Sequence, residues 1–157
     1  MKTYLLLSLL AVLLSVNGCN VKIGEGGDIV EPSEKIVKAK YPQAAFDKVD
    51  NHVVGTIQLV QSNQSRVTLS APENYIEYFE FENKDGKLNI NYTKKSVNMS
   101  ANDVMIIIYT PNLSEIRNSG AADIHLDSLN TGEFKVINSG VGSFELNQIN
   151  AKKIDVS

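Results

Sequence analysis

The amino-acid sequence predicts an all-β protein whose C-terminal part is a stack of similar coils, a solenoid. Three observations support this prediction. Short stretches after residue 42 alternate apolar and polar residues and are rich in β-branched residues. Turn-forming residues separate these stretches, and one of the turns contains Asp85-Gly86, a typical hairpin sequence. A segment near the C-terminus is repeated, which is the signature of stacked structural units.

Residues 1–18 have the composition of a secretory signal peptide. Lys2 supplies a positive charge, and an apolar run extends from Tyr4 to Val16. The run is too short to cross a bilayer as a helix, since that takes about 20 apolar residues. The sequence therefore predicts export, and this segment does not contribute to the predicted fold.

The chain's only cysteine, Cys19, directly follows this segment. A single cysteine in an exported chain cannot form an internal disulfide. Residues 16–19, Val-Asn-Gly-Cys, resemble the lipobox of bacterial lipoproteins, whose cysteine receives a diacylglycerol group. We predict that Cys19 is lipidated and anchors the protein to a membrane; the alternative is a buried free thiol. Asn20 differs from the Asp of inner-membrane retention signals, which favours the outer membrane. The sequence leaves open whether the domain faces the periplasm or the outside.

The mature chain is predicted to have two parts. Residues 19–40 are polar and rich in Gly and Glu, which is typical of a flexible tether. Residues 41–157 have the length of one domain. The net charge of −3 and a pI near 5.4 give no basic surface for nucleic acid.

Alternating sequence within the domain predicts irregular N-terminal strands. The segments with this pattern are 54–60, 66–70, 76–82, 87–92 and 104–110. We find no convincing helical stretch outside the signal peptide.

The repeat begins at Ile116. Residues 116–126 align with residues 136–146, so that the Asn-Ser-Gly triplets starting at Asn118 and Asn138 correspond. Glycine in each triplet predicts a positive φ or a close backbone approach at a corner. The Asn and Ser side chains predict a hydrogen-bonded ladder along the stack. The alternative is a ligand-binding strip made of Asn118, Ser119, Asn138 and Ser139.

The chain ends inside a third unit, at Ser157, without a visible capping segment. We therefore expect a solenoid that is truncated at its C-terminus, as a fragment of a longer protein would be; the alternative is a partner that covers the open end. An uncovered end also predicts self-association.

Residues 46–49 and 55–61, the strand residues 87–90 and the segment Ile116–Ile124 (IRNSGAADI) together resemble the head GIN domain of autotransporter adhesins, which are common as lipoproteins in Bacteroidetes. The resemblance covers residues 46–157. It implies a right-handed, β-helix-like solenoid and a surface or binding role. It brings no catalytic residues.

The remaining candidate residues are few. Tyr75 and Tyr78 belong to an aromatic cluster and could stack on a sugar ring, although core packing is an alternative. Asp127-Ser128-Leu129 matches the short O-glycosylation motif of Bacteroidetes, with Ser128 as the acceptor. His52 and His125 have no metal-ligand spacing around them, so neither a metal site nor a cofactor is predicted.

These observations favour a non-enzymatic, lipid-anchored outer-membrane protein that binds a macromolecule or a glycan. A structural envelope lipoprotein without a specific ligand is the main alternative. A carbohydrate-active β-helix enzyme is a third, but the carboxylates are scattered and no acidic pair recurs in the repeat.

Overall fold

The structure is a computed structural model, and it describes residues 28–94 and 97–157. Strands account for 65% of it, so the prediction of an all-β protein is confirmed. The strands are β1 (Asp28–Ile29), β2 (Ile36–Pro42), β3 (Lys48–Asn51), β4 (Val54–Gln61), β5 (Arg66–Pro72), β6 (Phe79–Lys84), β7 (Lys87–Tyr92), β8 (Val97–Asn98), β9 (Met105–Thr110), β10 (Glu115–Asn118), β11 (Ala121–Asn138) and β12 (Phe144–Val156).

One ten-stranded sheet contains most of these strands, and it forms a nearly closed barrel with mixed strand orientation. Its order is β2-β5-β9-β4-β11-β10-β3-β7-β6, and β12 branches from this path by pairing with β11. Strands β1 and β8 form a separate parallel pair. The predicted right-handed, β-helix-like solenoid is therefore wrong.

The barrel arises because antiparallel strands flank the parallel ones. β5 pairs antiparallel with both β9 and β2, and β6 pairs antiparallel with β7. The outermost strands of the order, β2 and β6, then meet through Tyr41 and Phe81, whose ring centroids are 4.7 Å apart. We call this contact the seam. The repeat used to predict a solenoid lies only in the parallel strands and carries no information about the seam.

The repeat does predict the register of the parallel strands. Ile116 pairs with Val136 between β10 and β11, and Ile124 pairs with Phe144 between β11 and β12. Both pairs join residues that are aligned in the repeat. Strand β3 continues the stack upstream, because Val49 pairs with Ile116.

The core consists of the inward-facing residues of these paired strands. Ile57 of β4 lies between Ile124 of β11 and Ile106 of β9, and the next inward residue, Leu59, is also buried between two neighbouring strands. Burying each such side chain contributes about 1.5–3 kcal/mol. The alternation seen in the sequence is thus the alternation between core and surface.

Two predicted segments differ from the structure. Residues 36–40 were expected in the flexible tether but belong to β2, which pairs along its full length with β5. Alternation of small and charged residues in this strand (Val37, Lys38, Ala39, Lys40) is the pattern of an edge strand. Residues 76–78 were expected in a strand but end a 3-10 helix, Glu73–Tyr78, that begins directly after Pro72. Residues 19–27 of the tether lie outside the described residues.

Candidate ligand-binding surface

The first asparagine of each repeat unit forms a hydrogen-bonded ladder across the sheet. Nδ2 of Asn51 in β3 donates to Oδ1 of Asn118 at 2.9 Å, and Nδ2 of Asn118 donates to Oδ1 of Asn138 at 3.2 Å. Asn51 and Asn118 are fully buried, whereas Asn138 is exposed. The asparagine part of the ladder predicted from the triplets is thus present, and the burial of Asn118 is incompatible with direct contact to a ligand.

The serines of the two triplets remain at the surface. Ser119 and Ser139 are exposed, and their backbone N–H groups donate to the carbonyl oxygens of Asn51 and Asn118. Three of the four predicted strip residues, Ser119, Asn138 and Ser139, are therefore accessible. Contact of these three residues with a ligand remains a prediction.

The ladder residue Asn51 was missed in the sequence because its triplet is Asn-His-Val, without Ser or Gly. A usable signal exists, since Val49-Asp50-Asn51 has the same apolar-polar-Asn order as Ile116-Arg117-Asn118 and pairs with it in register.

A second polar row, made of Asp123 and Ser143, lies on the outer face of the sheet. These residues follow the ladder residues Asn118 and Asn138 in the sequence. Both the backbone N–H and the hydroxyl of Ser143 donate to Oδ1 of Asp123, at 2.9 and 2.7 Å. These hydrogen bonds hold the pKa of the exposed Asp123 carboxyl below its usual value. Asp123 is therefore an ionised hydrogen-bond acceptor at neutral pH.

Two amide rows continue along the same side of the sheet. Asn147 donates to Asp127 at 3.4 Å, and Asn150 donates to Asn130 at 3.3 Å. Gln61 of β4 extends the second row, because the backbone N–H of Asn130 donates to its Oε1 at 2.9 Å.

An open groove of about 470 Å³ lies between these rows. We call it the amide groove; it is lined by Gln61, Ser128, Leu129, Asn130, Asn147, Gln148, Ile149 and Asn150. Its lining consists mainly of amide donors and acceptors and contains no charged residue, whereas Leu129 belongs to the core and Ile149 packs against it. Such a surface offers hydrogen bonds to hydroxyl groups.

The model of one protein family matches residues 45–157 of the chain, and its description is "Putative auto-transporter adhesin, head GIN domain". The chain belongs to the head GIN domain family. This confirms the resemblance noted in the sequence, and the description of the family names putative adhesins and no enzyme. No curated protein sequence is significantly similar to the chain.

Solved structures agree with this family. The head GIN domain is similar to a putative adhesin from Bacteroides fragilis NCTC 9343, with 27% identity, a TM-score of 0.75 and coverage of 83% of this chain and 60% of the other. A putative adhesin from Parabacteroides merdae ATCC 43184 shares 18% identity at a TM-score of 0.70, covering 83% and 55%. A putative lipid binding protein from Parabacteroides distasonis ATCC 8503 shares 15% identity at 0.64, covering 83% and 63%. The chain thus spans less than two thirds of these proteins.

The two predicted ligand-contact tyrosines of the head GIN domain lie away from the amide groove, in the 3-10 helix. Tyr75 is fully buried, and its hydroxyl donates to the Val30 carbonyl at 2.9 Å, so it is not accessible to a sugar. Tyr78 is partly buried, and Nζ of Lys94 lies 4.9 Å from its ring centroid. Core packing, the alternative interpretation, explains Tyr75.

The two histidines lie apart, each beside one acidic residue. His125 Nδ1 is 3.0 Å from Glu145 Oε2, and His52 Nε2 is 3.2 Å from Asp50 Oδ1. Within residues 28–94 and 97–157, no three His, Cys, Asp or Glu residues are grouped closely enough to hold a metal ion.

The predicted signal peptide and the lipidation site Cys19 lie outside the described residues. In the part of the chain that the structure does describe, no helix combines the length and the apolar composition needed to cross a membrane.

Proposed function

We propose that this head GIN domain is a non-enzymatic, lipid-anchored protein of the outer membrane that binds a macromolecule or a glycan. Family membership carries the proposal, because the family is described as putative auto-transporter adhesins. The lipobox-like sequence ending at Cys19 supports the membrane anchor. The amide groove supports a neutral, hydroxyl-rich ligand, since its lining is uncharged and rich in amides.

The binding part of this proposal is tested with an array of glycans and host extracellular proteins. We expect saturable binding of the wild-type chain to a neutral glycan. The double variant Asn147→Ala/Gln148→Ala should weaken this binding by about tenfold or more, equivalent to about 1.4 kcal/mol. Asn63→Ala is the matched control, because Asn63 is an exposed amide outside the groove. Absence of any saturable ligand would favour a structural envelope lipoprotein instead.

The anchor is tested separately by metabolic labelling with an alkyne-tagged fatty acid. Label should be incorporated into the wild-type chain and be lost in Cys19→Ala. Protease treatment of intact cells then distinguishes outward from periplasmic display. An unlabelled wild type would contradict the lipid anchor while leaving the binding proposal open to its own test.

Glycosylation of Ser128 is an alternative use of the amide groove. Ser128 is exposed and lines the groove, so a glycan attached there would exclude a separate ligand from it. Intact-mass measurement of the native protein should show an added mass that disappears in Ser128→Ala. An unmodified native mass would exclude the modification.

A further inference from the structure

The outer face of strands β2, β5 and β9 carries three cations and no acidic side chain. Lys38 and Lys40 lie on β2 and Arg66 lies on β5, and none of the strands β2, β4, β5 and β9 contains an Asp or Glu residue. The chain as a whole has 18 acidic residues and a net charge of −3, so positive charge is concentrated locally. We call the outer face of β2, β5 and β9 the cationic face.

Each row of side chains across the cationic face combines a cation, a hydroxyl group and an apolar group. Two neighbouring rows have this order from β2 to β9: Lys40, Thr68 and Ile107, and Lys38, Ser70 and Met105. The register of the sheet therefore repeats one combination of chemical groups in two successive rows.

The apolar side of the face is a stripe along β9. Met105, Ile107 and Tyr109 alternate with core residues along this strand, and Met105 is 46% exposed. Alternate residues of a strand lie about 7 Å apart, so the stripe is about 13 Å long. The guanidinium group of Arg66 lies over the ring of Tyr109, 4.0 Å from its centroid. The apolar stripe and the cations thus form one continuous surface.

Acidic residues border the cationic face on both sides. Strand β6, across the seam, carries Glu80 and Glu82 on its outer face, and β11, beyond β4, carries Asp123 and Asp127. Strands β2 and β9 are about 10 Å apart, because neighbouring strands are separated by about 4.8 Å. The positive region is therefore narrow. A single polymer chain fits it, whereas a broad anionic surface such as a membrane would also meet the bordering carboxylates.

The cations of the face are not paired with acidic residues. Within residues 28–94 and 97–157, no carboxylate oxygen lies within 4.0 Å of the charged nitrogens of Lys38, Lys40 or Arg66. Further acidic residues lie beyond the strand ends, namely Glu34, Glu73 and Asp103. Of these, Glu73 is paired with Lys35 at 2.6 Å. Lys38 and Lys40 are exposed and can therefore receive an external anion.

This combination of groups matches the chemistry of an acidic glycan. Carboxylate and sulfate groups accept charge-assisted hydrogen bonds from lysine and arginine. The hydroxyl groups of Thr68 and Ser70 can donate to and accept from the hydroxyl groups of a sugar. The C–H faces of sugar rings are apolar and can pack against the stripe on β9.

We propose that the cationic face binds one chain of an acidic glycan, with the anionic groups of the glycan on Lys38, Lys40 and Arg66 and its rings against Met105 and Ile107. The inference goes beyond the proposed function, because this face is separate from the amide groove, selects a ligand of opposite character to a neutral glycan and does not need the lipid anchor.

The test uses the full chain with Cys19→Ser, so that no lipid anchor contributes to binding, and two matched pairs of fluorescent hexasaccharides. Oligogalacturonate is compared with its neutral methyl ester, and sulfated maltohexaose with maltohexaose. Fluorescence anisotropy should show at least one acidic hexasaccharide binding about tenfold or more tightly than its neutral counterpart, with the difference shrinking at about 0.5 M salt. The pair that shows the preference identifies the anion as carboxylate or sulfate.

Substitution of the two exposed lysines locates the site. Lys38→Gln/Lys40→Gln should abolish the preference for the acidic hexasaccharide. Lys48→Gln/Lys84→Gln is the matched control, because it removes the same charge from exposed lysines outside the cationic face and should retain the preference. Circular dichroism checks the fold of each variant. Equal weakening by the two double variants would overturn the proposal, since binding would then follow the overall charge of the chain.

The apolar stripe and the amide groove are tested in the same assay. Met105→Ser should weaken binding of the acidic hexasaccharide severalfold without changing its dependence on salt. The amide-groove variant Asn147→Ala/Gln148→Ala should leave the preference unchanged, so that the two sites hold or fail independently.

Two further results would overturn the proposal. One is equal affinity of the wild-type face for acidic and neutral hexasaccharides in both pairs. The other is binding to vesicles of equal parts phosphatidylglycerol and phosphatidylcholine that Lys38→Gln/Lys40→Gln abolishes, without binding of an acidic hexasaccharide, because the face would then contact a membrane.

Discussion

At the scale of single residues, Asn118 shows how a buried polar side chain is accommodated in this sheet. Its Nδ2 donates to Asn138 and to the Val141 carbonyl, and its Oδ1 accepts from Asn51 and from the backbone of Gly120. A buried amide without these partners would be costly, because it loses its hydrogen bonds to water. The asparagine ladder therefore stabilises the parallel strands in one register.

Replacing the central asparagine of the ladder tests this role. Asn118→Ala should lower the free energy of unfolding by about 1–3 kcal/mol, because the buried Asn51 amide then keeps only the Val53 carbonyl of its two acceptors. Asn138→Ala is the matched control: its side chain is exposed, so water can replace its contacts and the loss should be smaller. Urea denaturation followed by circular dichroism measures both, and equal losses would contradict a buried structural ladder.

The site could be predicted only in part at this scale. The repeated triplet identified Asn118 and Asn138 and offered a ladder as one interpretation. Repetition alone does not tell a buried residue from an exposed one, so the ligand strip remained an alternative to the ladder. Gln61, by contrast, gave no signal, because it enters the amide groove from β4, which precedes β11 by 60 residues of sequence.

At the scale of elements, glycine determines how closely successive turns of the chain approach each other. A Cβ atom at Gly140 would lie inside contact distance of the Gly120 carbonyl oxygen and 2.9 Å from the Ser119 carbonyl carbon. The close backbone approach predicted from the triplet is thus confirmed. Positive φ occurs at other glycines instead, such as Gly142.

Substitution of this glycine should be poorly tolerated. Gly140→Ala forces backbone against backbone, and overpacking of this kind costs about 1–3 kcal/mol. Gly132→Ala is the control, since a Cβ atom there would meet nothing within 4 Å. Thermal unfolding should show a lower Tm for Gly140→Ala and little change for Gly132→Ala; similar Tm values for the two would contradict the argument.

Most strands could be predicted from the local sequence, but the 3-10 helix after Pro72 could not. Strands β4, β5, β7 and β9 follow the alternation closely because each has one face on the core. In residues 73–78 the pattern was interrupted: Tyr75 turns inward to reach the Val30 carbonyl, a contact between residues 45 positions apart. A pattern in the local sequence cannot predict such a tertiary contact.

At the scale of the whole molecule, closure at the seam is what distinguishes the barrel from the predicted solenoid. The seam joins β2 and β6 through Tyr41 and Phe81. Residues 36–40 of β2 were assigned to the tether, because the polar segment that ends at residue 40 was interpreted as lacking periodic apolar spacing. Partial burial raises the pKa of the Tyr41 phenol by desolvation. The seam thus contains a group that is less easily ionised in the folded protein.

This shift predicts how stability changes at alkaline pH. The pKa of Tyr41 is higher in the folded protein than in the unfolded chain. Its contribution to the free energy of unfolding is therefore fully present below the unfolded pKa of about 10 and is lost as pH rises through the folded pKa. Tyr41→Phe keeps the ring at the seam and removes the ionisable hydroxyl. Tm measured from pH 7 to pH 11 should fall less steeply for Tyr41→Phe than for the wild type; parallel curves would contradict the assignment.

The turn between β6 and β7 has a consequence for how the molecule folds. Asp85 and Gly86 both have positive φ, 52° and 77°, and they close a hairpin between adjacent strands. A hairpin of this kind forms in about 1–10 μs. Pairing of β3 with β10 instead joins residues as distant as Lys48 and Glu115 and must wait for a long loop to close. Folding is therefore expected to start at the hairpin and to be limited by the pairing of the parallel strands.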